Sequence, residues 1–152
     1  MVLNAVEKRN QRQKSLTFDY ICEKYGSDLN GKTFAVWGLA FKPGTDDMRE
    51  ASSVNIITSL IEAGASVQAF DPVANEEAAK KFPQKWISEN KLTLVDDNYT
   101  ALENSDALIL MTEWKMFRNP SIRKMKKKMK NLCIFDGRNQ YDPKYMRKNG
   151  FE

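Results

Sequence analysis

Five short apolar runs, each followed by a turn or a helical stretch, constrain this chain more than any other feature. They are Thr33–Trp37, Ser66–Phe70, Leu92–Val95, Ala107–Met111 and Leu132–Asp136. Between the first two, Ser53–Ala63 has helical period, with Val54, Ile57, Leu60 and Ile61 on one face and Gly64 as its stop. Asn75 is placed to cap a helix over Glu76–Phe82, whose first turn carries two acids. A short helix is expected near Asn98–Asn104, and Asp142-Pro143 opens a last one. Strands alternating with helices pair in parallel through right-handed crossovers. The expected fold is therefore α/β, a Rossmann-like doubly wound parallel sheet of about five strands. A long helix over residues 2–25 precedes it, apolar at both ends and polar from Glu7 to Ser15, until Gly26 and Gly31 break it. A helix with that pattern is expected to cross a partner or a second domain rather than bury one stripe in its own.

At 152 residues, 41% hydrophobic and 29% charged, the chain is the size and composition of one folded domain. No run of about 18 apolar residues is present, so no membrane span is expected. There is no histidine, which removes imidazole bases and His-zinc sites, and no metal site is expected. The two cysteines, Cys22 and Cys133, form no disulfide framework, which favours a reducing, cytoplasmic location. The net charge is +4, yet six cations fall between Arg123 and Lys130, and without them the remainder carries −2. In that stretch Ile122, Met125 and Met129 recur at helical spacing. The expectation is an amphipathic helix with lysines in water, and no nucleic acid or membrane partner. A lysine patch for nucleic acid or anionic lipid is the competing reading.

Ligands of an open parallel sheet bind beyond the carboxyl ends of its strands. Here the first strand runs into Gly38-Leu-Ala-Phe-Lys-Pro-Gly-Thr-Asp-Asp-Met-Arg-Glu50. Only Gly38 fits a GxGxxG dinucleotide loop, and no Gly-Lys-Ser/Thr makes a P-loop. Lys42 and Arg49 flank two acids instead: two cations for a phosphate, or charges that pair with each other. Asp71 ends the second strand, where a ribose-binding acid often stands, but Asp71-Pro72 reads better as a turn. Lys42, Arg49, Glu113 and Arg138 fall at one rim, which points to an anionic, phosphorylated ligand.

Four motifs carry a resemblance. The Gly38–Glu50 segment, Phe70-Asp-Pro, Thr112-Glu-Trp and Phe135-Asp-Gly-Arg-Asn stand in the order and spacing of one family. The chain resembles the C-terminal, UDP-binding domain of UDP-glucose 6-dehydrogenases, within the UDP-glucose/GDP-mannose dehydrogenase family, over essentially its whole length, Asn10 and Gln13 of the first helix included. The resemblance implies oxidation of UDP-glucose to UDP-glucuronate in two NAD-dependent steps, through a thioester on an active-site cysteine. It implies that Phe41 and Lys42 contact the UDP-sugar, that Arg138 binds substrate near the reacting sugar, and that Arg49 approaches NAD. It also implies that residues 1–30 are the end of a central interdomain helix packed in a homodimer or higher homo-oligomer, and that residues 31–152 are the UDP-binding domain.

The departures are equally specific. The chain lacks the family's NAD loop and its glycine-rich segment with the nucleophilic cysteine, so no catalytic residue is assigned to it, and neither Cys22 nor Cys133 has the required context. The expectation is the C-terminal third of an enzyme, inactive alone, with NAD bound mainly by an N-terminal dehydrogenase domain. A non-enzymatic nucleotide-binding module, or the domain of a related UDP- or GDP-sugar dehydrogenase, is the alternative.

Overall fold

The computed structural model describes residues 16–48, 51–138 and 140–152. Asn10, Gln13 and the whole polar middle of the first helix, Glu7 to Ser15, lie outside the described residues. Residues 16–25 are helical (α1) and end before Gly26. The strands are β1 (Thr33–Trp37), β2 (Ser66–Phe70), β3 (Leu92–Leu94), β4 (Ala107–Leu110) and β5 (Ile134–Asp136). They form one sheet in the order β3-β2-β1-β4-β5, every pair parallel. The order turns back between β1 and β4, so the switch point lies at their carboxyl ends.

Burial explains why the central strands are legible as plain apolar runs. All four residues of β4, and Phe34 through Trp37 of β1, are buried, because both sheet faces are covered. On one face Phe34, Val36, Val67, Ala69 and Ile109 pack with Ile21 of α1 and with Ile56, Ile57 and Leu60 of α2 (Ser52–Glu62). On the other, Trp37, Phe70, Leu108 and Leu110 meet Phe117, Met125, Met129 and Met146. The expected doubly wound α/β fold is the one observed.

Local expectations fare unevenly. The strand expected to reach Val95 stops at Leu94, β4 stops at Leu110, and β5 starts at Ile134. Asn75 is not a cap: it is the first residue of α3 (Asn75–Lys81). Its side-chain oxygen accepts the Asp71 N–H (3.0 Å) and its amide donates to the Val95 carbonyl (2.8 Å), tying β2 to the end of β3. Near residues 98–104 only a short 3-10 turn forms, Thr100–Leu102. Helix α4 (Gln84–Ser88) and a 3-10 turn at Lys115–Phe117 have too few residues to show a period. The lysine-rich helix α5 (Ile122–Lys128) is capped by Ser121, buries Met125, and holds Lys126, Lys127 and Lys128 in its last turn, where they oppose the helix dipole. Lys128 pairs with Glu103 (3.1 Å) and Lys124 lies over the Tyr99 ring. Asp142 caps α6 (Pro143–Lys148) as expected, accepting the Lys144 N–H at 3.1 Å.

Three acidic protons are held tightly by the fold. Burial, then Cys133, raises the Tyr25 hydroxyl above its ordinary 10.0; burial, then Asp136, does the same for Tyr141. Burial also raises the Cys133 thiol above 9.0, against a hydrogen bond from Tyr25 and the charge of Lys24. The native state thus keeps these protons when the unfolded chain has lost them, so their stabilisation is full below pH 9 and is lost as pH rises. Urea midpoints should fall from about pH 9 upward, and Tyr141→Phe should flatten the slope. An identical slope in that variant would contradict the assignment.

Candidate functional site

The loop after β1 is tied down from four sides. Gly38 has φ +99°, and a Cβ there would stand 2.5 Å from both Cβ and N of Thr112. Only glycine allows this backbone conformation and this close approach of β1 to β4. The Gly38 N–H donates to the Phe70 carbonyl (2.8 Å). The Leu39 carbonyl accepts from Ser53 Oγ, and the Ala40 carbonyl from Thr112 Oγ1, each at 2.6 Å. The Leu39 and Ala40 N–H groups donate to Asp71 Oδ2 at 2.8 and 3.0 Å. Beyond this anchored stretch the loop turns back on itself: the Phe41 N–H reaches the Asp47 carbonyl (3.0 Å), and the Asp47 N–H reaches Thr45 Oγ1 (3.1 Å).

What the anchored segment presents outward is Phe41, 37% exposed, and the exposed Lys42, whose ammonium lies 5.3 Å from the Phe41 ring centroid. Lys42 forms no ion pair with the acids of its own loop among the described residues. Arg49, the other cation of this loop, lies outside the described residues.

The ends of β4 and β5 carry the second charged group. Arg138 donates through Nε and Nη2 to the two carboxylate oxygens of Glu113, the latter at 3.2 Å. This two-point grip leaves the rest of the guanidinium for another acceptor. The loop bearing Arg138 is shaped by Asp136, which accepts the N–H of Arg138 (3.0 Å) and of Tyr141 (2.7 Å). The Tyr141 hydroxyl in turn donates to the Phe117 carbonyl at 2.6 Å. A cleft of about 490 Å³ opens between these strand ends and α1, with Leu16, Tyr20, Met111, Asp136 and Arg138 on its walls.

Of the four rim residues expected from sequence, Glu113 and Arg138 meet directly. Lys42 stands on the loop of β1, at the same carboxyl end, with no bond to either. Asp71 does make the turn: Oδ1 accepts the N–H of Val73 and of Ala74, both at 2.9 Å. Its other oxygen also accepts Trp114 Nε1–H (3.2 Å), a role that sequence spacing does not reveal. Thr112 and Ser53 were likewise not foreseen as loop anchors. Cys133 is buried just before β5, and Cys22 is half-buried on α1. Among the described residues no acid, cysteine and histidine cluster is arranged for a metal, and no helix is long and apolar enough to cross a membrane.

A parallel sheet with an anchored, lysine-tipped loop at its switch point defines an α/β ligand-binding domain. Comparison with known proteins narrows that class. Residues 35–143 match the UDP-glucose/GDP-mannose dehydrogenase family, UDP binding domain. A UDP-glucose 6-dehydrogenase of Pseudomonas aeruginosa is 47% identical over 150 residues, covering 99% of this chain and 33% of the relative. The UDP-glucose 6-dehydrogenase TuaD of Bacillus subtilis is 34% identical, covering 99% and 31%. The solved UDP-glucose dehydrogenase of Pyrobaculum islandicum superimposes with a TM-score of 0.72 at 30% identity, over 89% of this chain and 28% of that one. The chain belongs to the UDP-glucose/GDP-mannose dehydrogenase family and corresponds to its C-terminal, UDP-binding domain. It spans about a third of the length of these curated relatives.

Proposed function

We propose that this domain holds the UDP end of UDP-glucose for an NAD-dependent 6-dehydrogenase that makes UDP-glucuronate. The observation that carries the reading is the outward pair Phe41–Lys42 on an otherwise immobilised loop at the switch point. In this reading Phe41 offers an apolar face to the nucleoside, Lys42 a point charge to the diphosphate, and Arg138 its remaining N–H groups to the substrate. Binding energy gathered here, away from the reacting carbon, positions the sugar for chemistry carried out elsewhere in the enzyme.

The described residues do not fit NAD. Gly38 is the sole fingerprint glycine after β1, and Asp71 spends both carboxylate oxygens on main-chain and Trp114 N–H groups, leaving nothing for a ribose. The cofactor therefore belongs to the N-terminal dehydrogenase domain, with Arg49 approaching it across the interdomain cleft, and the isolated chain should not reduce NAD. Residues 1–30 are read as the end of the central helix and 31–152 as the binding domain. Leu16 and Tyr20, 42% and 53% exposed on α1, support a covered helix in a homodimer or higher assembly. The setting is taken as cytoplasmic.

Lys42→Ala should weaken UDP binding by about 1.5–3 kcal/mol, roughly 10- to 150-fold, as for a hydrogen bond to a charged group. Calorimetric titration of both proteins checks it. An unchanged dissociation constant would remove Lys42 from the site.

A further inference from the structure

Asp71 sits where doubly wound domains commonly place an acid for a ribose hydroxyl. Here its side chain is turned inward: the residue is 2% exposed, and five N–H groups converge on its two oxygens. A carboxylate has about four lone-pair sites, so this one is saturated. No basic side chain among the described residues pairs with it, so it is held wholly by dipoles from three separate loops. Val73 and Ala74 belong to its own turn, Leu39 and Ala40 directly precede Phe41 and Lys42, and Trp114 directly follows Glu113, the residue that grips Arg138.

We infer that Asp71 and Trp114 are positioning residues of the UDP site, one carboxylate and one indole fixing the spacing between Lys42 and the Glu113–Arg138 pair. The inference rests on the UDP reading above. The indole bond is the revealing one. It is the longest of the five and the only one from a side chain, and Trp114 is only half-buried. Its loss leaves the main-chain bonds to Asp71 in place, so its effect on folding is small while its effect on loop spacing remains. The Trp114 carbonyl is held as well, by Gln140 Nε2 at 3.4 Å, which ties the stretch after β4 that carries Glu113 to the stretch after β5 that carries Arg138.

The test uses UDP with the 152-residue chain and two substitutions. Trp114→Phe keeps an aromatic side chain but removes the indole N–H together with part of the ring. Asp71→Asn keeps the shape but turns one acceptor into a donor facing other donors. Trp114→Phe should raise the UDP dissociation constant about fivefold, as for one hydrogen bond, with only a small change in the urea midpoint. In an Arg138→Ala background the same change should cost less than about twofold, because the group it positions is gone. Asp71→Asn should lower the midpoint and also weaken UDP more than Trp114→Phe does. Equal losses in both backgrounds, a loss that tracks the urea midpoint, or no loss would overturn the inference while leaving the UDP site standing. Failure of the unsubstituted chain to bind UDP would instead overturn the functional reading itself, and this inference with it.

Discussion

Gly38→Ala should cost about 3–5 kcal/mol of folding stability, among the largest effects of any single methyl in this chain. The added Cβ would stand 2.5 Å from Thr112 Cβ and N and 2.6 Å from its Oγ1. Part of that clash is with backbone, so no rotamer change relieves it. Thr112 is fully buried, its hydroxyl donates to the Ala40 carbonyl, and the neighbouring Met111 N–H donates to the Trp37 carbonyl (2.9 Å), so β4 cannot retreat without breaking the sheet. The φ of +99° adds conformational strain for any L side chain. Urea unfolding measures the loss, and UDP affinity should fall with it, because the displaced segment carries Phe41 and Lys42. A midpoint equal to that of the unsubstituted chain would mean that β1 and β4 do not cross as closely as described.

Trp37→Ala should cost a similar amount, about 3–5 kcal/mol, by a different mechanism. Trp37 ends β1 with no exposed surface. It stacks on Phe117 at a centroid distance of 5.1 Å and meets the edge of Tyr99 at 5.9 Å. Its Nε1–H donates to the Asn98 carbonyl at 2.7 Å. Alanine would open a cavity between the sheet and the segments after β3 and β4, and would strip that carbonyl of its donor. Trp37→Phe separates the two contributions: it refills most of the volume and should cost about 1–2 kcal/mol for the lost hydrogen bond and the imperfect fit. Equal losses in the two variants would show that the hydrogen bond, not the aromatic packing, dominates.

The sheet was legible because its chemistry is local. Phe34–Trp37 and Ala107–Leu110 are buried on both faces, so they stand out as unbroken apolar runs whatever their neighbours. Elements that depend on a single turn were not legible: α4 spans five residues and leans on the Phe82–Trp86 ring contact rather than on periodicity. Asn75 shows the same limit in the other direction. Its type and position suit a cap, but the β2 and β3 ends compete for its amide and win.

At the site, the outward charges were readable and the inward ties were not. Glu113 and Arg138, each next to the end of a strand, had to share a rim once the sheet was parallel, and they meet there. The turn half of Asp71's role follows from Asp-Pro chemistry two and three residues on. The long-range half joins residues 31, 32 and 43 positions away, which no spacing rule links. Phe41 entered by family resemblance, and Lys42 first as one of two loop cations suited to a phosphate. Composition alone offered only a charged loop, and the geometry adds the reason that they can serve: everything before them is bolted to the sheet.

The most direct test of the account is a titration of UDP into the isotopically labelled chain, followed by amide shifts, with GDP and NAD as comparisons. The account predicts UDP-dependent shifts concentrated at Phe41, Lys42 and Arg138, with GDP weaker and NAD without effect. Millimolar UDP that leaves those three amides unmoved, or NAD that moves them as strongly, would contradict it.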